Sequence, residues 1–181
     1  MYAVGSKVVH PVHGAATIAS IEEKSFGDTS QTYYMLNCIA APRDMTLMVP
    51  VGQEGDVGVR PVGNTSKLLR TLASCRVPPD EDIITDFRVR QATMTERLKS
   101  GSFSQVTCAV RCLFFLSTQR NLGVTDRRLL DKGRQMMASE LALAFGVEMC
   151  EALERIEANL ERMVCIEEEL LSAWSTSESA D

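Results

Sequence analysis

No run of apolar residues in this chain approaches the roughly 20 that a membrane-crossing helix needs, so a spanning segment is not expected. The opening MYAVGSKVV places Lys7 after a short apolar patch, whereas a secretory leader puts its basic residues before a long one. Histidine is scarce: His10 and His13 are the two present, and both sit beside Pro11. There is no glycine-rich phosphate loop and no Ser/His/Asp or Cys/His arrangement with recognisable local context, so an enzyme is not expected. The cysteines, at positions 38, 75, 108, 112, 150 and 165, stand singly with no CxxC pair. That pattern fits reduced thiols in a cytoplasm rather than a disulfide framework, and Cys108 and Cys112, four apart on one helix, read as packing. His10-x-x-His13 with Cys38 supplies three ligands where a structural zinc wants four, so neither a metal nor another cofactor is expected. Tryptophan occurs once, as Trp174, far down the last helix.

What the chain has is charge, unevenly spread. The whole is net −5. Residues 85–135 hold ten Lys or Arg against four Asp or Glu, a local +6, between an N-terminal segment of net −2 and a C-terminal one of net −9. An acidic pI therefore conceals a basic block able to meet a polyanion.

From Val4 to Pro61 the pattern is of short strands separated by turns. Lys7–Val9 is β-prone and stops at Pro11; Ala16–Ile21 and Thr32–Leu36 are rich in β-branched or aromatic residues; Thr46–Val49 precedes Pro50. Turn signals fall at His13-Gly14, Phe26-Gly27-Asp28, Pro42-Arg43-Asp44 and Val51-Gly52. Four or five strands in this length predict a small, strongly bent antiparallel sheet or barrel. An edge strand of such a sheet is a ready site for a partner's strand.

Beyond Pro61 the period changes. Asn64-Thr65-Ser66 offers N-caps for a short helix, Lys67–Ser74, and Val77-Pro78-Pro79-Asp80 is a break, which places a boundary at the prolines or shortly before them. Only helices are expected after that. The first spans Asp86–Ser100, capped by Thr85 or Asp86 and stopped by Gly101. The second begins at Ser102, whose spacing to Gln105 is that of a capping box, and ends near Asn121. The third runs from Thr125-Asp126 to Phe145-Gly146, and the last from Val147 to Trp174 with Met149, Leu153, Ile156, Leu160 and Met163 as its apolar stripe. The fold class is therefore α+β: a strand-rich module over 1–63, a short helix and linker over 64–80, a helical bundle over 81–175 and a disordered tail over 176–181.

Two helix starts draw the basic block together. Phe87, Arg88 and Arg90 open one helix, and Arg127 and Arg128 lie in the first turn of another, where free backbone N–H groups and the dipole favour phosphate. Cations there oppose their own helix dipole by up to about 1 kcal/mol, which argues against a purely stabilising role. Phe87 has two readings: a staple tying the helix to the core, or a wedge against unstacked bases. The block as a whole also has two, nucleic-acid contact or internal pairing with the Glu-rich Val147–Ser172, the second belonging to a protein-interaction adaptor.

Val4-Gly5-Ser6-Lys7-Val8-Val9-His10-Pro11-Val12-His13-Gly14-Ala15-Ala16, followed by Val49-Pro50 and Val57-Gly58-Val59-Arg60, resembles the paired signatures of the CarD/CdnL family of bacterial RNA polymerase-binding transcription regulators. The likeness continues through Leu98-Lys99-Ser100-Gly101, Leu129-Leu130-Asp131-Lys132-Gly133-Arg134-Gln135 and Ser139-Glu140-Leu141-Ala142, so it covers nearly the whole chain. The resemblance implies an N-terminal Tudor-like β-barrel, shared with transcription-repair coupling factors, that binds the polymerase β subunit partly by strand pairing; Lys24, Thr46, Leu47, Met48 and Val49 fall on that implied contact. It implies an all-α C-terminal helical bundle that touches double-stranded promoter DNA at the upstream edge of the melted bubble and stabilises the open complex, with Phe87, Arg88, Arg90, Arg127 and Arg128 as its contacts. It also implies a cytoplasmic, nucleoid-associated regulator with no membrane partner and no small-molecule substrate. Counting back from Gly101 puts Phe87 where the family carries a Trp that wedges into the minor groove. Phe keeps an apolar ring but lacks the indole N–H and some stacking area, so a weaker wedge is expected. Lys24 stands where some members have a polymerase-contacting Arg, and Met48 where they have another.

Overall fold

The computed structural model describes residues 1–26, 29–40, 46–79 and 84–178, the side chains at 26, 29 and 167–178 excepted. Alternating side chains and turn glycines produce five strands: β1 (Lys7–His10), β2 (Gly14–Phe26), β3 (Thr29–Cys38), β4 (Thr46–Pro50) and β5 (Arg60–Pro61), with a one-turn helix, α1 (Glu54–Val57), between the last two. Every pairing is antiparallel, in the order β4-β3-β2-β1-β5. Strand β2 is the spine. Its beginning pairs with β1, its length from Ala16 onward pairs with β3, and a register shift between Ile18 and Ser20 bends it. Val8, Ala16, Ile18, Tyr34, Leu36 and Val49 point to one side and form, with Val59, a core of the sheet's own.

The Tudor-like expectation holds for the strands and their curvature, but the barrel does not close. Strands β4 and β5 both remain edges. Strand β5 is two residues long and ends at Pro61, which has no N–H to extend a ladder. The strands β2 and β3 also run further than their β-branched stretches, through Glu22-Glu23-Lys24 opposite Tyr33-Thr32-Gln31. The expected turns at Gly27-Asp28 and Pro42-Arg43-Asp44 lie outside the described residues.

The helices are α2 (Thr65–Ala73), continued by a 3₁₀ turn (Ser74–Arg76), then α3 (Phe87–Lys99), α4 (Phe103–Gln119), α5 (Val124–Phe145) and α6 (Met149–Glu178). Local signals explain most boundaries. The Asn64 side chain accepts from the Ser66 N–H, and the Asp86 side chain from the N–H groups of Arg88 and Val89. Gly101 and Gly146, at φ 69° and 67°, follow α3 and α5. Three expectations are corrected. Ser102 is the N-cap residue of α4 but makes no side-chain capping bond, so no box forms with Gln105. Helix α5 begins at Val124, one residue before the expected Thr125-Asp126, with Gly123 as its N-cap residue, and Asp126 lies within its first turn paired with Arg90. Helix α6 continues past Trp174 to Glu178; the Trp174 side chain and residues 179–181 of the expected tail lie outside the described part.

Residues 65–76, read from sequence as a short helix and linker, pack into the helical core. Leu68, Leu72 and Cys75 share one buried cluster with Leu98, Val110, Leu113, Met137, Leu141, Ile156 and Leu160. Helices α4 and α5 cross so closely at Gly133 that a Cβ there would lie 2.5 Å from Val110 Cγ2. The sheet meets this bundle along α5. The Ala15 N–H donates to Ser139 Oγ at 3.0 Å and Lys7 Nζ to the Leu143 carbonyl at 2.7 Å. Gly14, at φ 78°, comes so near that a Cβ would sit 2.7 Å from Ser139 Oγ.

Candidate functional site

The starts of α3 and α5 are clamped side by side. Arg90 Nη2 and Nε donate to Asp126 Oδ2 at 2.6 and 3.2 Å, and Arg90 Nη1 donates to the carbonyls of Ile84 and Thr85 at 2.8 and 3.2 Å. Arg90 is 5% exposed. Its expected place among the phosphate contacts is therefore corrected: the guanidinium is a buried tie between helices. The reason is rotational, since Arg90, Met94 and Leu98 form the buried row of α3.

Phe87, Arg88, Arg127 and Arg128 remain outside, on or beside that tie. The Phe87 ring is 55% exposed, so it does not staple the helix to the core. The Arg88 guanidinium lies 5.6 Å from the centre of the same ring, a cation–π contact that presents ring and charge together. Among the described residues Arg127 and Arg128 have no ionic partner. A groove of about 370 Å³ separates the two starts, with Phe87 and Thr85 on one wall and Arg120, Asn121 and Gly123 on the other. Arg120 and Asn121 were missed in the sequence because they follow α4 rather than opening a helix. Exposed Val89 and Val124 add apolar surface at the same two starts. Asp86 occupies the first-turn N–H groups of Arg88 and Val89, so α3 offers cations and a ring, not free amides. Helix α5, with no side-chain cap at Gly123, keeps its amide end open.

Other members of the basic block face inward. Arg134 pairs with Glu157 of α6 at 3.1 Å and lies over Phe114. Arg97 Nη1 donates to Cys108 Sγ at 2.9 Å, and Arg111 Nη1 to the Ser74 carbonyl at 3.2 Å. The +6 block thus divides into cations that tie helices together and cations that face solvent.

On the sheet, β4 is an edge. The Val51 N–H donates to the Thr32 carbonyl at 2.9 Å. With the pairing of Tyr34 to Val49 and Leu36 to Leu47, antiparallel alternation turns the N–H and C=O groups of Thr46 and Met48 toward the open side. Met48 is 50% exposed, whereas Val49 is 2% exposed and belongs to the sheet core. Val49 therefore supports the edge and offers no side chain to a partner. Leu47 is half-buried against that same core, and Thr46 is exposed. Lys24 lies on β2, two strands in from the edge, ion-paired with Glu22 at 2.6 Å.

The His10 and His13 rings lie with centres 4.9 Å apart and planes inclined by 54°, and Val12 N–H donates to His10 Nδ1 at 3.1 Å. Both imidazoles are held below the ordinary histidine pKa, chiefly by burial, then by each other for His10 and by Lys132 for His13. Among the described residues no three His, Cys, Asp or Glu side chains gather as metal ligands, and no helix is long and apolar enough to cross a membrane.

The chain thus carries an open strand edge on its sheet and, joined to it through α5, an aromatic-tipped pair of cationic helix starts on its helical bundle. Residues 2–63 match the CarD-like/TRCF RID domain and residues 70–157 the CarD C-terminal domain. The chain belongs to the CarD-like family of transcription factors. It is 26% identical over 147 residues to the Bacillus subtilis (strain 168) protein described as "Putative transcription factor YdeB", the match covering 81% of this chain and 94% of that one.

Proposed function

We propose that the chain docks on the RNA polymerase β subunit through the β4 edge and on promoter DNA, at the upstream border of the melted bubble, through the starts of α3 and α5. In this reading it prolongs the open complex. The observation that carries it is Phe87, an exposed ring at a helix tip with Arg88 beside it and Arg120 across a groove, while Arg127 and Arg128 are exposed at the start of the clamped α5. Cations on backbone phosphates position a protein without reading sequence. Unstacking a base step costs a few kcal/mol, so an inserted ring is useful only where polymerase has already opened the duplex, and there it slows reannealing. Anchoring on polymerase raises the local concentration of the DNA-contacting arm and makes a weak second contact effective.

A polymerase adaptor that leaves DNA untouched draws support from Arg90, buried against Asp126, and from Arg134, paired with Glu157 of α6. It leaves the exposed ring unexplained. The test measures open-complex lifetime with purified polymerase. The wild-type chain lengthens it, and Phe87→Ala loses that increment while binding polymerase normally. An unaltered lifetime refutes the wedge, and an unchanged footprint at the bubble border favours the adaptor.

A further inference from the structure

The stretches that carry the family resemblance largely avoid both candidate interfaces, and several of them meet at one place. Gly14 abuts Ser139; a Cβ at Gly58 or at Gly101 would come within 3.3 or 3.4 Å of the Pro11 ring. Arg60, the last residue of its motif, donates from Nη1 and Nη2 to Glu140 Oε1 and Oε2, both at 2.7 Å, and from Nε to the Gly101 carbonyl. Glu140 Oε1 also accepts from the Gly63 N–H at 3.0 Å. One ion pair thereby joins β5, the residue leading into α2, the α3–α4 turn and α5. Glu140 is 2% exposed and Arg60 is part-buried, so the carboxylate is shielded while the guanidinium keeps some contact with water.

We infer that Arg60 and Glu140 are positioning residues, whose two-pronged pair sets the angle between the β4 edge and the helix starts and so decides whether a chain anchored on polymerase reaches the DNA. This rests on the proposed function for its consequence, though not for its geometry. A planar guanidinium on a carboxylate fixes both distance and rotation, which an apolar patch of the same size does not. Such a pair adds little net stability over well-packed apolar residues, so its value here is orientation. The bundle's own core and the sheet's own core are separate clusters, joined beside this pair by the Ala15–Ser139 and Lys7–Leu143 hydrogen bonds.

The test uses Glu140→Gln, which keeps the volume and removes the charge, and Arg60→Lys, which keeps the charge and removes the fork, both in the full chain. Backbone residual dipolar couplings of the wild type fit one alignment tensor across both modules, and those of either variant require two. Polymerase affinity is unchanged, and the increment in open-complex lifetime falls by about fivefold or more, the lower end of ordinary coupling between two sites. A common tensor in both variants overturns the inference, as do separate tensors with a wild-type lifetime. If the wild-type chain itself leaves the lifetime unchanged, the proposed function fails, and the tensors still decide whether the pair sets the angle.

Discussion

Arg90 Nη2 and Asp126 Oδ2 lie 2.6 Å apart with both side chains almost wholly buried, and this one contact binds the first turn of α3 to the first turn of α5. Two helix starts remote in sequence are thereby presented as a single surface. The fourth donor interaction of Arg90, to the Thr85 carbonyl, fixes the chain just before Phe87 as well.

Breaking the pair from one side leaves a buried charge without compensation. Arg90→Ala or Asp126→Ala should cost about 3–5 kcal/mol, seen as a lower urea midpoint. Replacing both, as Arg90→Met with Asp126→Leu, should recover most of that loss because neither charge is then stranded. A single variant as stable as the wild type would show that the guanidinium is solvated rather than buried.

The edge strand invites a contrast between neighbours. Met48→Glu changes an exposed side chain and should alter stability by no more than about 0.5 kcal/mol, while weakening binding to the polymerase β subunit by placing a charge to be desolvated on the docking edge. Val49→Glu puts the same carboxylate into the sheet core and should unfold the module. Melting and binding measured on both variants separate edge from core; normal binding by Met48→Glu removes β4 from the interface.

What was legible in the sequence was local. Asp86 as a cap and Gly101 as a stop follow from side-chain and backbone chemistry within a turn, and both hold. Strand identities follow from alternation, but the β-branched stretches Ala16–Ile21 and Thr32–Leu36 mark only part of β2 and β3, which the pairing of Glu22-Glu23-Lys24 with Gln31-Thr32-Tyr33 extends. The inward turn of Arg90 was readable from its spacing to Met94 and Leu98, yet its charge dominated the reading. Its partner Asp126 was not readable, nor was Arg60 with Glu140, since no periodicity joins residues 36 or 80 positions apart. Phe87 was undecided for the same reason: a staple and a wedge have the same local sequence and differ only in what the rest of the chain puts beside them.

The histidine pair predicts a pH dependence with a definite sign. Burial and neighbouring cations hold His10 and His13 below the ordinary value of 6.5 in the folded chain. Below that value the unfolded chain takes up protons that the folded one resists, so stability is lost as pH falls and returns as it rises. The urea midpoint should therefore decline from about pH 7 to pH 5, with His10→Gln combined with His13→Gln flattening the slope. Glu22, held low chiefly by its hydrogen bond with Lys24, titrates in a more acidic window and does not confuse the comparison.

Salt dependence tests which cations face the DNA. Each phosphate neutralised on a duplex contributes about −0.9 to the slope of log K against log salt. Arg88, Arg127 and Arg128 are exposed at the two helix starts, so changing all three to Gln should reduce the magnitude of the slope by about 2–3. Folding should not suffer, because all three side chains are exposed and surface substitutions of this kind usually change stability by no more than about 0.5 kcal/mol. The Arg90→Met with Asp126→Leu pair supplies the control: it removes an arginine from the same block, but one already neutralised by a buried carboxylate, so the slope should stay as in the wild type. If the triple variant keeps the wild-type slope, these arginines do not touch phosphate. If the buried-pair variant shifts the slope as much as the triple variant does, Arg90 reaches the DNA after all and the clamp opens on binding.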